Sequence, residues 1–234
     1  MLLKIKRWIK SFFILKKSIH IQIKKTIRCG DRYGGFNVYA DQFIKEKSQI
    51  LVYSFGIGEN LTFSDDILKE FSAQVFAFDP TPKAINYVEN HVLFSNHKFH
   101  FFNWGVSSQD GLDVFFLPKD ERHVSGSIIQ HSSLKNEGIE VIVKKLGTIM
   151  RELGHNKIDL LKMDIEGLEF DVIDNILDEN ITFGQLCLEV HNRFFEDGNA
   201  RLEKLFRKLN DEGFELVDMS KSLQEFTFVN EKYL

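Results

Sequence analysis

The sequence predicts an α/β fold, a doubly wound and mostly parallel sheet with helices on both faces. Two observations lead to this prediction. From residue 50 onwards, short apolar runs alternate with segments of helical pattern, which is the order typical of parallel sheets covered by helices. The 234 residues are 43% hydrophobic and 27% charged, which is ordinary for a soluble globular domain that buries a full core.

The predicted strands are short apolar runs bounded by turn residues or by helical segments. In chain order they are ILVYSF, VFAFD, KFHFFNWGVS, LDVFFLP, EVIVKKL, KIDLLKMD, QLCLEVH, FELVDM and EFTFV. The predicted helices are SDDILKEFSA, TPKAINYVENH, GTIMRELG, the segment 168–177 and NARLEKLFRKLNDEG. Ser64 is the expected N-cap of the first helix. Thr81 caps the second helix before Pro82, and Gly213 closes the last one.

Residues 1–30 form a basic segment, and residues 31–234 form the predicted domain. The segment holds nine Lys and Arg and no acid, so the other 204 residues carry 21 basic against 34 acidic side chains. This acidic balance argues against nucleic acid as a partner. Apolar residues such as Trp8 and Phe12 recur on one helical face, which predicts a helix that either lies on a membrane surface or packs on protein.

The apolar runs of this segment are too short to cross a membrane. Its longest run, Phe12 to Leu15, has four residues, against about 20 for a bilayer span and about 7–15 for a signal peptide. Cys29 and Cys187 are the only cysteines, which favours a reducing compartment, while a single disulfide between them stays an alternative. We therefore predict a cytoplasmic protein, which residues 1–30 would place at the inner face of a membrane if they form a surface helix, and would not if they pack on protein.

Five successive predicted strands end on small or polar residues. These ends are Ser54-Phe55-Gly56, Asp79, Asn103, Asp164-Ile165-Glu166-Gly167 and Glu189-Val190-His191. In a parallel sheet they meet along one edge, where ligands bind. Asp79 lies 21 residues after Gly58, the spacing of an acid that accepts ribose hydroxyls. Because Thr81 already caps the next helix, we expect Asp79 to be free for a ligand.

The glycine loop after the first strand favours a nucleoside without phosphate. A dinucleotide-binding loop has a third glycine where this chain has Leu61. Glu59 would repel a pyrophosphate, and a helix that begins near Ser64 begins too late to hold one. S-adenosylmethionine carries adenosine and a sulfonium but no phosphate, and it is the predicted cofactor.

Five segments resemble the FkbM-type S-adenosylmethionine-dependent methyltransferases: VYSFGIGENLTF, FAFDPTP, FFNWGVSSQDG, LLKMDIEGLEFDVI and LEVHNRF. The resemblance covers roughly residues 34–229 and is most specific in LLKMDIEGLEFDVI. It implies a class I methyltransferase fold, a seven-stranded sheet whose last strand is antiparallel. It also implies methyl transfer to oxygen, often a hydroxyl of a sugar, a polysaccharide or a natural product.

The resemblance also implies roles for individual residues. The expected cofactor-binding residues are Phe55, Gly56, Gly58, Asn60, Asp79, Thr81 and Asn103. Among them Asp79 would bind the ribose and Asn103 would lie near the adenine, while Asp164 and Glu166 would line the methyl-transfer site. Two positions depart from the pattern, because Ser54 replaces an acid that many class I enzymes carry and Asn60 replaces a later glycine.

Transfer to a hydroxyl needs alignment and a base for the proton. The expected catalytic residues are Asp164, Glu166 and His191, with Asp164 the preferred base or acceptor contact. A neutral His191 would be the better base near pH 7 unless Asp164 is desolvated. Glu166 as a helix cap and His191 in a structural hydrogen bond stay alternatives, and Glu169 is expected to be a solvated helix residue. The predicted site contains no metal, although Asp164, Glu166, Glu189 and His191 offer ligands for a divalent ion.

The predicted function is therefore S-adenosylmethionine-dependent methyl transfer, with a small-molecule or glycan hydroxyl as the acceptor. Two other classes stay open. An NAD(P)-dependent oxidoreductase is disfavoured by Leu61 and Glu59, and a non-catalytic, membrane-attached scaffold is compatible with the basic segment. The RHVSGSI stretch is either an acceptor lid or a flexible loop, and the sequence predicts no oligomeric state.

Overall fold

The computed structural model describes residues 25–45, 49–119, 126–127 and 134–234. Residues 1–24 of the basic segment, where the amphipathic helix is predicted, lie outside the described residues, and so does most of the RHVSGSI stretch. The division of the chain after residue 30 stays a prediction. In the described part of the chain, no helix has both the length and the apolar character needed to cross a membrane.

The described residues form twelve strands and six α-helices. The strands are β1 (Thr26–Cys29), β2 (Phe36–Tyr39), β3 (Ile50–Phe55), β4 (Ala73–Phe78), β5 (Phe99–Phe102), β6 (Gly105–Val106), β7 (Gly111–Pro118), β8 (Leu134–Lys144), β9 (Ile158–Met163), β10 (Phe183–Glu189), β11 (Phe214–Met219) and β12 (Glu225–Asn230). The helices are α1 (Ala40–Lys45), α2 (Thr62–Glu70), α3 (Pro82–Glu89), α4 (Leu146–Leu153), α5 (Glu169–Asp178) and α6 (Gly198–Asp211).

The central sheet has seven strands in the order β11-β12-β10-β9-β3-β4-β5. The pairs β10–β9, β9–β3, β3–β4 and β4–β5 are parallel, whereas β12 is antiparallel to both β10 and β11. This confirms the predicted seven-stranded sheet with an antiparallel last strand. The strand order reverses between β3 and β9, so the loops that follow these two strands border the crevice where ligands bind in such sheets.

The sheet is buried on both faces, which explains why its strands read as continuous apolar runs. Tyr53 and Phe55 of β3 belong to a core cluster with residues of α4, α5 and α6. Ile50 and Val52 of the same strand belong to a second cluster with residues of α1, α2 and α3. The two-residue period of a strand thus divides the core into two layers, and the predicted helices on both faces are confirmed.

Helix starts agree with the local chemistry, with one correction. Thr81 caps α3 by accepting a hydrogen bond from Ala84 N–H, and Pro82 occupies the first turn, as predicted. The prediction that Ser64 caps α2 is wrong, because the helix begins at Thr62 and Ser64 is buried inside it. The N-cap position is Leu61, without a side-chain cap, and Asn60 before it accepts hydrogen bonds at Oδ1 from the N–H of Thr62 at 3.0 Å and from the Thr62 hydroxyl at 2.6 Å.

Two parts of the fold lie beside the central sheet. β1 and β2 form an antiparallel pair joined by the turn at residues 30–35. β6, β7 and β8 form a separate three-stranded sheet in the order β6-β8-β7. The predicted strand KFHFFNWGVS is therefore two strands, β5 in the central sheet and β6 in the smaller one.

Candidate active site

The carboxyl ends of the central strands border one cavity of about 420 Å³. The predicted site residues that line it are Phe55, Gly56, Gly58, Asn60, Asp79, Thr81, Asp164, Glu166 and His191. Asn103 is exposed and lies outside this lining, and its neighbour Trp104 lines the cavity in its place. The sheet edge thus brings the glycine loop, the predicted ribose carboxylate and the three predicted catalytic side chains together.

The loop after β3 and the turn after β9 are in direct contact. Gly56 has a φ of +69°, and a Cβ built on it would lie 1.6 Å from the carbonyl oxygen of Asp164. The N–H of Asp164 donates to the carbonyl of Phe55 at 3.3 Å. The buried ammonium of Lys162 donates to the carbonyl of Gly56 at 2.7 Å and lies 3.7 Å from the carboxylate of Asp164. These contacts fix the relative position of the glycine loop and Asp164.

Asp79 is not free, contrary to the expectation from sequence. Its Oδ1 accepts hydrogen bonds from the N–H of Thr81 at 2.9 Å and from the Thr81 hydroxyl at 2.6 Å. Its Oδ2 accepts one from the N–H of Gly58 at 2.9 Å. Burial raises the pKa of Asp79, and these hydrogen bonds oppose the rise. Because a carboxylate has about four acceptor positions, these three bonds leave one for a ligand hydroxyl.

His191 is surrounded by carboxylates and is only 1% exposed. Its Nδ1 lies 2.7 Å from Oε1 of Glu169, and its Nε2 lies 3.0 Å from Oε2 of Glu166. The same Nε2 lies 3.7 Å from Glu189 and 3.9 Å from Asp164. The imidazole therefore connects the turn after β9, the first residue of α5 and the end of β10.

Glu169 is completely buried, so the expectation of a solvated helix residue is wrong. Its two carboxylate oxygens accept from the N–H of Gly167 at 3.0 and 3.1 Å, and one of them also meets His191. A buried charge requires such partners. The position of Glu169 in the sequence was a usable signal for a place in the site. An acid in the first turn of a helix that follows a strand lies close to the end of that strand.

The carboxylates control the charge of His191. Burial alone would lower its pKa, but hydrogen bonds to Glu166 and Glu169 outweigh burial and raise the pKa to about 11. At neutral pH the ring is therefore an imidazolium that donates from both nitrogens. This differs from the neutral imidazole considered from sequence.

Two other carboxyls have raised pKa values. Burial raises the pKa of Asp164, although Lys162 and His191 oppose the rise. Burial and the neighbouring Asp164 raise the pKa of Glu189 to about 8. Asp164 is thus desolvated, which was the condition under which the sequence favoured a carboxylate over His191 as the base.

Glu166 has a strained backbone. Its φ of +51° lies in the left-handed region that side chains other than glycine rarely adopt. The hydroxyl of Ser127 donates to the carbonyl of Glu166 at 2.5 Å, and the side chain meets His191. Strain of this kind is often found at ligand sites, where surrounding contacts maintain it.

Several cavity residues were missed from sequence because they come from segments without a strand-end signal. They are Tyr33 and Gly34 from the turn between β1 and β2, Phe115 and Val143 from the small sheet, and Trp104 and Arg193. The two glycines of the DRYGG segment indicate a tight turn, but they do not indicate where the turn lies in the fold.

Asp164, Glu166 and His191 each offer one ligand atom, and these atoms lie within 4.8 Å of one another. Oxygen and nitrogen donors of this kind suit a divalent cation. An ion at His191 would have to displace the proton that the surrounding carboxylates hold on its Nε2. Metal binding therefore stays the alternative that it was from sequence.

Comparison with known proteins identifies the family. The sequence model described as "Methyltransferase FkbM domain" matches residues 53–216, which include the five strand ends predicted to carry the polar site residues. The chain belongs to the FkbM methyltransferase family. S-adenosylmethionine is the cofactor of this family.

The chain is also similar to two curated proteins, both called probable methyltransferase-like protein 24. It is 28% identical to the Homo sapiens protein over 148 residues and 29% identical to the Rattus norvegicus protein over 145 residues, with 61% of this chain covered in each case. The matched region spans 33% of each relative's length. Among solved structures, a Methanococcus jannaschii fibrillarin described as a pre-rRNA processing protein matches with a TM-score of 0.46 and 11% identity, covering 90% of this chain and 85% of that one. Because this score is below 0.5, the fold assignment is based on the strand order alone.

The residues of the cavity fit S-adenosylmethionine. Asp79 retains an acceptor position for a ribose hydroxyl, and Gly58 N–H holds the carboxylate toward the loop. Glu59 also lines the cavity, and its negative charge suits a sulfonium and an ammonium group better than a phosphate. The glycine loop and Asp79 would therefore hold the adenosine part of the cofactor.

Proposed function

We propose that the chain transfers the methyl group of S-adenosylmethionine to a hydroxyl oxygen of a sugar, polysaccharide or natural-product acceptor. One observation supports this proposal most strongly. A single cavity of about 420 Å³ is lined by Gly58 and Asp79 and also by Asp164, Glu166 and Glu189. A nucleoside site and a group of proton acceptors therefore share the same space.

The carboxylates suit an oxygen acceptor. S-adenosylmethionine, when bound, supplies a methyl group that is already activated by the sulfonium. A hydroxyl must lose its proton as its oxygen attacks that methyl group, so a nearby base accelerates the transfer. The acceptor O–H bond breaks, its proton moves to a carboxylate, and the new O–C bond forms as the S–C bond breaks.

Glu189 is the proposed proton acceptor, with Asp164 in contact with the acceptor hydroxyl. The pKa of Glu189 is raised to about 8, so it holds a proton strongly while remaining partly ionised near neutral pH. Imidazolium His191 cannot accept a proton, but its Nε2–H, at 3.0 Å from Glu166 and 3.7 Å from Glu189, stabilises the neighbouring negative charges. Lys162 holds Asp164 and the glycine loop in register.

The test is incubation of the full-length chain with methyl-labelled S-adenosylmethionine and fractionated glycan and small-molecule extracts. The proposal predicts that label enters a fraction as an alkali-stable methyl ether, and that Glu189→Gln lowers its rate of incorporation about 100-fold or more. Glu203→Gln, an exposed acid on α6, is the matched control. Cofactor binding without label in any fraction would favour the scaffold alternative, and label on an amine nitrogen would contradict an oxygen acceptor.

The proposal includes location. Cys29 and Cys187 are both buried free thiols, as in proteins of reducing compartments, which supports the cytoplasm. Residues 1–30 are proposed to bind anionic membrane surfaces through their basic, amphipathic pattern. Flotation of the full-length chain with anionic vesicles tests this, because changing Lys4, Lys6, Arg7 and Lys10 to Glu should abolish binding, and unchanged flotation would refute it.

A further inference from the structure

The turn at residues 30–35 is attached to the glycine loop by a carboxylate that accepts three hydrogen bonds. Oδ1 of Asp31 accepts hydrogen bonds from the N–H of Tyr33 at 2.9 Å and from the N–H of Gly34 at 3.0 Å. The same oxygen accepts one from the side-chain amide of Asn60 at 3.1 Å. Partial burial would raise the pKa of Asp31, but these hydrogen bonds outweigh burial and lower it. Asp31 therefore links the turn to the loop as a carboxylate.

Two further hydrogen bonds connect the turn to α2. The N–H of Gly30 donates to the carboxylate of Asp66 at 2.8 Å. The N–H of Asp31 donates to the hydroxyl of Thr62 at 3.1 Å. The turn is thus held against both the glycine loop and the start of the helix that follows it.

The side chain of Asn60 makes three hydrogen bonds in this network. Its Oδ1 accepts from the N–H and the hydroxyl of Thr62, and its Nδ2 donates to Asp31. A Cβ on Gly34 would lie 3.1 Å from this Nδ2, so the turn packs closely on the amide. Asn60, which lines the cavity itself, therefore also holds the turn in place beside the cavity.

Tyr33 lies at the tip of this fixed turn. Its side chain is 73% exposed, and yet it lines the cavity together with Gly34. The guanidinium of Arg32 lies 4.6 Å from the centre of its ring. A large ring that is left in water gains free energy when a ligand covers it. A rigid turn that holds such a ring at a cavity is suited to contact a ligand.

We propose that Tyr33 contacts the bound S-adenosyl donor, and that Asp31 and Asn60 are positioning residues that hold the turn over the glycine loop. This rests on the proposed function, because it assumes that the glycine loop binds this donor. The donor is favoured over the acceptor as the partner of Tyr33, since the hydrogen bonds of the turn run to the glycine loop and to α2.

The test is calorimetric titration of S-adenosylhomocysteine into the full-length chain and its variants. Tyr33→Ala should raise the Kd about tenfold, the effect expected for an aromatic contact. Tyr33→Phe keeps the ring and should restore most of the lost affinity. Phe94→Ala removes another exposed ring, 51% exposed and outside the cavity lining, and serves as the control with unchanged Kd.

The positioning role is tested by Asp31→Ala and Asn60→Ala. Each should raise the Kd about threefold to tenfold, and the double variant should raise it no further than the stronger single change, because both act through one turn. In steady-state assays the KM for the donor should rise while kcat at saturating donor stays within about twofold, as expected for loss of uniform binding.

The outcomes separate the two proposals. A folded wild-type chain that does not bind S-adenosylhomocysteine would remove the proposed function itself. Wild-type binding with an unchanged Kd in Tyr33→Ala would overturn this inference alone. A raised KM for the acceptor with an unchanged Kd for S-adenosylhomocysteine would assign Tyr33 to the acceptor and would also overturn it.

Discussion

Replacing Gly56 by alanine should destabilise the fold by separating the loop after β3 from the turn after β9. The new Cβ would lie 1.6 Å from the carbonyl oxygen of Asp164, well inside the contact distance of about 3 Å or more that carbon and oxygen require. Relief of this overlap has to displace one of the two adjacent strand ends. The displacement would weaken the hydrogen bonds of Lys162 to Gly56 and of Asp164 to Phe55.

The magnitude follows from three contributions. A left-handed backbone costs an alanine about 1–2 kcal/mol, overpacking costs about 1–3 kcal/mol, and each weakened hydrogen bond costs about 1 kcal/mol. Gly154→Ala is a matched control, since Gly154 has a φ of +71° and a Cβ there would meet nothing within 4 Å. The control should lose only the backbone contribution, so the two variants should differ by overpacking and two weakened hydrogen bonds, about 3–5 kcal/mol.

Urea unfolding and differential scanning calorimetry measure this difference directly. For a chain of this length, about 3–5 kcal/mol corresponds to a Tm difference of roughly 6–20 °C between Gly56→Ala and Gly154→Ala. Equal losses in the two variants would refute the reasoning, because they would show that the contact between Gly56 and Asp164 does not contribute to stability.

Four further predictions concern the carboxylates and the thiols. NMR spectra should show the ring of His191 protonated between pH 5 and 8, since its pKa is raised to about 11. The stability that this proton adds should be complete below the ordinary pKa of histidine and should fall as the pH rises toward 11. A titration midpoint near 6.5 would contradict this. Glu169→Gln should lower the free energy of unfolding by about 1–3 kcal/mol, because the amide keeps only one of the two acceptor oxygens of the buried carboxylate. The exposed Glu203→Gln should lower it by about 0–0.5 kcal/mol. Equal losses would contradict a contribution of the buried Glu169–His191 pair. The rate of methyl transfer should rise with pH as Glu189 ionises, with a midpoint near pH 8, and Glu189→Gln should abolish this dependence. A retained pH profile would exclude Glu189 as the base. Neither thiol should react with a disulfide reagent in the native protein, since burial raises the pKa of Cys29 to about 12 and also raises the pKa of Cys187. Both thiols should react after unfolding. Rapid labelling of the native protein would contradict their burial.

Elements with a local cause were predictable from sequence. ILVYSF is the strand Ile50–Phe55, because a continuous apolar run between turn residues suits a sheet that is buried on both faces. Thr81 and Pro82 mark the start of α3 through a hydrogen bond and a fixed φ, both of which act within four residues. The gathering of strand ends at one edge then follows from parallel strand order.

The partners of individual side chains were not predictable, because they depend on contacts between distant segments. Glu169 is buried because it faces His191, which lies 22 residues further along the chain. Asp79 accepts a hydrogen bond from the N–H of Gly58, which lies 21 residues before it in the chain. Asp79 is therefore not a free carboxylate, although Thr81 and not Asp79 caps the helix. Asn60 reads as a loop residue in sequence, yet its amide holds Asp31 in a turn 29 residues away.

The assignment of the cavity is tested most directly by calorimetric titration of S-adenosylhomocysteine into the wild-type chain and into Asp79→Asn. Thermal transitions first show that both proteins are folded. We predict one binding site in the wild type and a Kd about 10–100-fold higher in Asp79→Asn, because a charged acceptor for the ribose is lost. A folded wild-type chain without binding, or an Asp79→Asn variant that binds as tightly as the wild type, would contradict it.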